Sequence, residues 1–399
     1  MSAEELKKVA IQAIDEKNQQ LLEINQQLHK NPELAYKEFK SHDLLTNYLE
    51  KEGFQVQRSY PLPTSFRATF SRGKGPKMCV ICEYDALPEI GHACGHNLIA
   101  EAGIGAAIGI KAALETSQTD LGQLIVYGTP AEEGGGGKIK MVEEGCFDDV
   151  DIAMMVHPSP YDASYASIYS AMSFKITFEG KAAHAAGSPW EGINALDAAV
   201  QAYVNISTLR QQFKPTWRVH GIVTEGGIKT NIIPDRAKLE YRFRAPSDSE
   251  LQILQQKCKN CFQSAAQATG CKVDIVHEGI CGDHYRSVIN NLHLVDLYEN
   301  NAKSLGIEFP SRAEQKQKML GSTDMGNVSR VVPSIHPTYS IETKGGNHTR
   351  EFAVAASTEQ AHRQTIIAAK SMAMTCIDVM SSRDLQVQIK QEFIASTSQ

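Results

Sequence analysis

The run Met78-Cys79-Val80-Ile81-Cys82-Glu83, with Tyr84-Asp85-Ala86-Leu87-Pro88 and Gly91-His92-Ala93-Cys94-Gly95-His96-Asn97 behind it, decides how the rest of the chain is read. A short apolar run that ends on polar residues and then turns into a helix-like stretch has the pattern of a buried strand in an α/β sheet. Two further runs repeat it. Gln123-Leu124-Ile125-Val126-Tyr127-Gly128 leads into Thr129-Pro130-Ala131-Glu132-Glu133-Gly134, and Val150-Asp151-Ile152-Ala153-Met154-Met155-Val156 leads into His157. Open parallel sheets bind ligands just outside the carboxyl ends of their strands. Three adjacent strands would therefore bring Cys, His, two Glu and a further His to one rim, a donor mix suited to a metal-dependent site.

Working outward, residues 1–50 read as helix, with Ile11, Ile14, Leu21, Leu22, Ile24 and Leu28 on a helical period. Asn31-Pro32 breaks it, and a second helix near Leu34 to Glu50 stops at Gly53. Phe54-Gln55-Val56 and Ala68-Thr69-Phe70 read as strands, and Asn97 as the N-cap of a helix from Leu98 to Glu115. Helices between the motif strands imply a largely parallel sheet with covered faces. Near residue 171 the character changes. Alternating strands at 172–178, 217–223 and 238–244, helices near 193–213 and 250–269, and a strand at 272–276 follow the β-α-β-β-α-β order of a ferredoxin-like unit. The first of those helices would bury a stripe of Ile193, Leu196, Val200 and Tyr203. Beyond it come a long helix, a strand from Ser334 to Glu342, and a final helix from about Ala355 through Met380. The expected organisation is a catalytic domain over 1–171 and 285–399, with 172–284 inserted as a separate α+β domain.

The 399-residue chain has a net charge of −6 with no basic block, so neither nucleic acid nor an anionic membrane is an expected partner. The longest small-apolar stretch, Leu98 to Leu114, carries Glu101 and Lys111 and reads as too polar to span a bilayer. Nine cysteines without framework spacing, and no apolar signal core at the start, suggest a reducing, cytoplasmic setting. Sequons at Asn205, Asn327 and Asn347 are then expected to stay unmodified.

Taken alone, Cys94-Gly95-His96 is equally a buried thiol beside a hydrogen-bonded histidine. Glu132-Glu133 is sharper. Adjacent carboxylates on a bent loop, before the flexible-looking run Gly134 to Gly137, can point apart, one toward metal and one toward proton transfer. That glycine run is no phosphate loop, because Lys138 is followed by Ile139 and not by Ser or Thr. Cys79 and Cys82 on a strand face opposite ways. Cys258 and Cys261 lack a second pair. His29, His42, His220, His277 and His362 read as surface or structural.

Together these residues resemble the aminoacylase/carboxypeptidase-G family of co-catalytic metallopeptidases. The similarity is greatest to its amidohydrolase branch, through Asp85 to Pro88, His92 to His96, Pro130 to Glu133 and Gly345 to His348, and it runs over essentially the whole chain. Within the branch, Cys82 to Asp85, Cys94 to Asn97, Ser188-Pro189-Trp190-Glu191-Gly192 and Gly321-Ser322-Thr323-Asp324 look like the Xaa-Arg dipeptidase group. The resemblance implies two divalent ions, Zn or Mn with Co possible. Cys94 would bridge them, His96 and His157 would complete one, and Glu133 with His348 the other. It implies Glu132 as general base, Asp85 as the group that orients a ligand, and His184 as the stabiliser of the developing oxyanion. Asn231 and Arg244 would contact substrate. The inserted domain would act as lid and as the surface of a homodimer. The implied reaction is hydrolysis, by metal-activated water, of dipeptides with a basic C-terminal residue such as β-alanyl-lysine. The alternative is an amidohydrolase of N-acylated amino acids such as aminobenzoyl-glutamate. Two positions depart from the pattern. Glu83-Tyr84-Asp85 stands where many relatives have His-x-Asp, so that ligand is expected from elsewhere, with His96 the candidate. Asn97 stands where the branch commonly has Asp, which would leave the ions more positive.

Overall fold

A computed structural model describes residues 1–277, 284–318 and 321–397. It divides into two compact units, residues 1–167 with 288–399, and residues 168–287. The second unit extends a few residues past the expected 172–284 because Ala171 and Tyr285 exchange backbone hydrogen bonds of 2.8 and 3.1 Å.

Strands are numbered along the chain: β1 (Gln55–Arg58), β2 (Phe66–Arg72), β3 (Lys77–Glu83), β4 (Gly122–Thr129), β5 (Ile152–Met154) and β6 (His157–Ser159) precede the second unit. β7 (Ser170–Glu179), β8 (Arg218–Glu225), β9 (Arg236–Ala245) and β10 (Lys272–Val276) build it, and β11 (Ser334–Ile335) and β12 (Thr338–Ser340) follow.

In the first unit the sheet runs β1-β2-β4-β3-β5-β11. Its β4-β3-β5-β11 part is parallel, and β1 and β2 add an antiparallel edge. Alternate residues of β3 face opposite ways, so Met78, Val80 and Cys82 join one apolar cluster while Cys79 and Ile81 join another. The first cluster is built on the helix His96–Thr116, almost wholly buried against the helices Ala3–Glu16, Asn18–Lys30 and Glu359–Ser381. That helix is long and apolar enough to cross a membrane, but here it is the central core helix.

Several local expectations change. Asn97 is not the N-cap, a position that Gly95 holds; it lies inside the helix, donating to Asn25 Oδ1 at 2.7 Å and to the Ala356 carbonyl at 2.9 Å. The helix expected from Leu34 starts at Phe39, where the Glu33 carboxylate accepts the N–H groups of Lys40 and Ser41 at 3.1 and 2.9 Å. The strand expected over 334–342 breaks at His336-Pro337, since proline has no N–H for a ladder. β11 stays with β5, and β12 pairs in parallel with β6 in a separate two-stranded sheet. The helix expected from about Ala355 through Met380 runs Glu359–Ser381, with Thr358 capping it through the N–H of Ala361, but it is not the final one: a further helix, Arg383–Thr397, follows.

The second unit is the β-α-β-β-α-β fold, with helices Ala195–Thr208 and Asp248–Thr269 and an antiparallel sheet ordered β10-β7-β9-β8. Its first helix is rotated from the expected stripe. Ala195, Ala198, Ala199, Ala202 and Ile206 face the core, while Val200 and Tyr203 are exposed. Small side chains let this helix approach its neighbours closely, so the larger ones are left outside.

Candidate metal centre

Each motif loop is held by tight backbone packing. Gly95, between Cys94 and His96, has φ of +83°, and a Cβ there would lie 2.5 Å from Cγ of Pro158; only glycine fits. The amide of Asn347 donates to the carbonyls of Cys94 and Pro158 at 3.2 and 3.1 Å, and the N–H of His348 donates to the Ala93 carbonyl at 2.8 Å. One sequon asparagine thus ties together three segments that are far apart in the chain. After β4, Glu38 receives the N–H of Ala131 at 2.9 Å. The Gly134 to Gly137 run, expected to be flexible, is close-packed. Tyr36 donates to the Gly135 carbonyl at 2.6 Å, and a Cβ on Gly137 would lie 1.9 Å from the Pro130 oxygen.

These loops bring Cys94, His96, Glu132, Glu133, His157 and His348 together. Cys94, His96 and His157 offer donor atoms within 4.8 Å of one another, as do Cys94, Glu133 and His348, and His96, Glu132 and Glu133. Cys94 belongs to two groups, and its Sγ lies 3.5 Å from His157 Nε2. His348 Nε2 is 3.0 Å from Glu133 Oε1. The next layer fixes orientation. His96 Nδ1 is 2.9 Å from Asp85 Oδ1, His157 Nδ1 is 2.8 Å from the Pro158 carbonyl, and the N–H of Glu133 donates to Asp85 Oδ2 at 2.9 Å. In both histidines Nδ1–H is the donor; in His157 burial favours the neutral ring, with Nε2 as a lone pair facing the cluster, whereas against burial Asp85 and Cys94 raise His96 well above the usual imidazole range.

Charge follows the same division. Burial, then Glu133, Glu83 and Asp324, push the Glu132 carboxyl well above the usual range against the opposing Lys138. Glu133 is also buried, yet His348 and His96 outweigh that and hold it down. Burial pulls His157 down to about 4 with His96 helping, and the nearby Glu83 opposes the shift. Neighbouring carboxylates displaced in opposite directions are suited to different tasks.

Divalent ions fit this donor set. His96 Nε2 is buried without a hydrogen-bond partner and points into a group of carboxylates and a sulfur, an arrangement that a soft-to-borderline cation satisfies.

Sequence reasoning missed a layer beneath. Lys138 is fully buried, ion-paired to Glu83 and 2.7 Å from Asp324 Oδ1, and its backbone N–H donates to Asp324 Oδ2 at 2.9 Å. His336 is buried with neither nitrogen hydrogen-bonded, its ring 5.6 Å from that of His157. A lone histidine at a strand break, and a lysine in a glycine-rich turn, carry no motif that singles them out.

Within the second unit, His184 bridges Ile232, and its Nδ1 accepts the N–H groups of Ala186 and Gly187 at 3.2 and 3.0 Å. That tautomer places the hydrogen on Nε2. Asn231 accepts the Ala185 N–H through its carbonyl at 3.1 Å, and Arg244 sits on β9 opposite Ala171 and Arg218.

Residues 167–269 match the peptidase dimerisation domain. Along 97% of its length the chain is 47% identical to the Xaa-Arg dipeptidase of Mus musculus, covering 92% of that protein. It is 32% identical to one of the subunits of the p-aminobenzoyl-glutamate hydrolase of Escherichia coli (strain K12), over 89% of this chain and 75% of that one. In fold it resembles the Bacillus subtilis YXEP protein, a dinuclear metal-binding peptidase from the M20 family, with a TM-score of 0.71 at 20% identity over 92% of this chain and 99% of that one. The inserted unit, the donor cluster and near full-length identity agree: the chain is a hydrolase of peptide or amide bonds and belongs to the M20 peptidase family, the aminoacylase/carboxypeptidase-G family that its motifs resemble.

Proposed function

We propose that this chain is a metallo-dipeptidase that releases a basic C-terminal residue from dipeptides such as β-alanyl-lysine. The convergence of two three-residue donor groups on the shared Cys94, with Glu132 beside them, carries this reading. The near full-length relationship to a mouse Xaa-Arg dipeptidase supports the substrate class.

In this reading Cys94, His96 and His157 would hold one divalent ion, and Cys94, Glu133 and His348 would hold a second. Thiolate, imidazole and carboxylate donors together suit zinc, with manganese or cobalt as substitutes. When bound, the ions supply Lewis-acid polarisation of the scissile carbonyl and lower the pKa of water. Asp85 holds the His96 ring by its Nδ1 and the Glu133 backbone by its N–H. Glu132 takes the proton of the attacking water and hands it to the leaving amine. His184, with its hydrogen on Nε2, donates to the carbonyl oxygen as negative charge develops there. Asn231 and Arg244 bind the substrate carboxylate, where a guanidinium can make paired hydrogen bonds.

The second unit serves as lid and homodimer surface. Edge strand β8 exposes Ile222 and Val223, and the helix Ala195–Thr208 exposes Val200, Tyr203 and Val204, an apolar surface of the kind a partner covers. A cytoplasmic setting is part of the proposal, supported by eight unpaired thiols among the described cysteines.

The second reading, hydrolysis of N-acylated amino acids such as aminobenzoyl-glutamate, is supported by the more distant Escherichia coli relative. Parallel assays of the metal-loaded protein on β-alanyl-lysine and on aminobenzoyl-glutamate separate them. Chelator-sensitive turnover of the first and little of the second is expected; the reverse preference overturns the dipeptidase reading.

A further inference from the structure

The turn that carries Glu132 and Glu133 stands on an unfavourable backbone. Ala131, immediately before it, has φ of +61°, a left-handed conformation that a residue with a Cβ rarely adopts. Tyr36, which bonds to the same turn, also has φ of +61°. Such residues persist only where their surroundings hold them, and they gather at functional sites.

Here the surroundings form a closed ring of hydrogen bonds. Glu38 Oε1 accepts the N–H of Ala131 and the N–H of Tyr36, each at 2.9 Å. The Ala131 carbonyl accepts the N–H of Gly135 at 2.9 Å. The Gly135 carbonyl accepts the Tyr36 hydroxyl at 2.6 Å, which closes the ring. Glu132, Glu133 and Gly134 lie on the stretch of chain between Ala131 and Gly135. A Cβ on Gly135 would lie 2.2 Å from the Tyr36 ring, so the two sides are packed together. Glu38 is fully buried, and its Oε2 takes the Thr64 hydroxyl at 2.7 Å. The Thr64 carbonyl in turn accepts the hydroxyl of Tyr84, the residue before Asp85. Removing the Glu38 carboxylate would leave the buried Ala131 N–H without its acceptor and its left-handed backbone without its tie.

That tie bears unequally on the two glutamates. Glu133 has further anchors, since its N–H donates to Asp85 Oδ2 at 2.9 Å and its Oε1 lies 3.0 Å from His348 Nε2. Glu132 follows Ala131 directly, so the backbone angles of Ala131 set where its side chain leaves the turn. Moving a catalytic group by about 1 Å can cost on the order of 10²-fold in rate.

We infer that Glu38 is the positioning residue of Glu132. By holding Ala131 left-handed it fixes the Glu132 carboxylate at the donor cluster, and Tyr36 is the second arm of the same clamp. The inference rests on the assignment of Glu132 as general base.

The test is a double-mutant cycle of Glu38→Ala, Glu132→Ala and the pair, in the metal-loaded enzyme, on whichever of the two assay substrates above is turned over. Steady-state kinetics and elemental analysis are read together. Glu38→Ala should lower kcat by about 10–100-fold, with KM within ~3-fold of wild type and metal content intact. On the Glu132→Ala background the same substitution should cost less than ~3-fold further, because no base is left to place. An equal loss in both backgrounds would make Glu38 a prop of the whole fold and overturn the inference. So would loss of metal, which would assign the clamp to Glu133, or an unchanged kcat. The base reading fails on a different result: Glu132→Ala near wild-type turnover would overturn that reading and this inference with it. Should Glu38→Ala fail to fold, Tyr36→Phe, which deletes only the bond to Gly135, goes through the same cycle. Its kcat should fall by about 3–10-fold on the wild-type background alone, and the same contrary results overturn the inference.

Discussion

Asp85 Oδ1 and His96 Nδ1 meet at 2.9 Å with both side chains buried, and the other oxygen of the same carboxylate takes the N–H of Glu133. One side chain therefore sets both the ring plane of a histidine on one motif and the backbone of the glutamate on another. Asp85→Asn should weaken binding of at least one ion by about 10–100-fold, since an amide can present its NH2 to Nδ1 and favour the wrong tautomer. Chelator competition followed by metal analysis reads this. Unchanged metal affinity would mean that Asp85 is a packing residue.

Glu132→Ala should lower kcat by on the order of 10²–10⁴-fold while metal content survives, because Glu132 is assigned to proton transfer and not to binding. Elemental analysis beside steady-state kinetics separates the two. Loss of metal along with activity would reassign Glu132 as a ligand.

His184→Ala should also depress kcat and leave metal content intact. Mixing subunits inactivated at Glu132 with subunits inactivated at His184, under conditions of subunit exchange, should restore partial turnover if the lid histidine acts across a dimer. Complete silence from a mixture shown to exchange would place His184 with the centre of its own chain.

Gly137→Ala should destabilise the protein by about 1–3 kcal/mol, as its Cβ would start 1.9 Å from the Pro130 oxygen and force the Glu132-Glu133 turn to move. Thermal unfolding measures this, and a Tm equal to that of the wild type would contradict the packing described.

Glu101 is fully buried in contact with His362 and Asn25, and burial pushes its carboxyl from 4.5 up to about 7. Between those values the folded protein binds the proton more readily than the unfolded chain does. Glu101 therefore makes the protein less stable as pH rises from about 4.5 to 7, after which its effect is constant, a total of up to about 3 kcal/mol. Glu101→Gln should remove that part of the slope in denaturant unfolding between pH 5 and 7.5. An unchanged slope would mean the carboxyl is not displaced.

The strands that carry the motifs are legible in the sequence because they are local. β3 and β4 are unbroken apolar runs of strand length, and a buried parallel sheet requires little else. The stripe expected on the lid helix fails because a hydrophobic period gives most weight to large side chains, whereas Ala198, Ala199 and Ala202 make the close packing. The pairing of Lys138 with Glu83 and Asp324 stays invisible for another reason. Lys138 is 55 positions from Glu83 and 186 from Asp324, and no spacing rule links charges that meet only after the sheet has formed. His362 looks isolated in sequence, although folding places it against Glu101. Asn97 precedes an apolar run as a cap would, but glycine at 95 has already turned the chain into the helix.

The way β12 lies beside β6 bears on biosynthesis. Thr338 is the register partner of His157, and His348 follows ten residues later, whereas Cys94, His96 and Glu133 are made long before, ahead of the whole inserted unit. On the ribosome the inserted unit is contiguous and can fold early, but the cluster must wait for its last imidazole. A nascent or prematurely stopped chain would thus present thiol and carboxylates without a closed cage, and full metal loading becomes a late event of maturation.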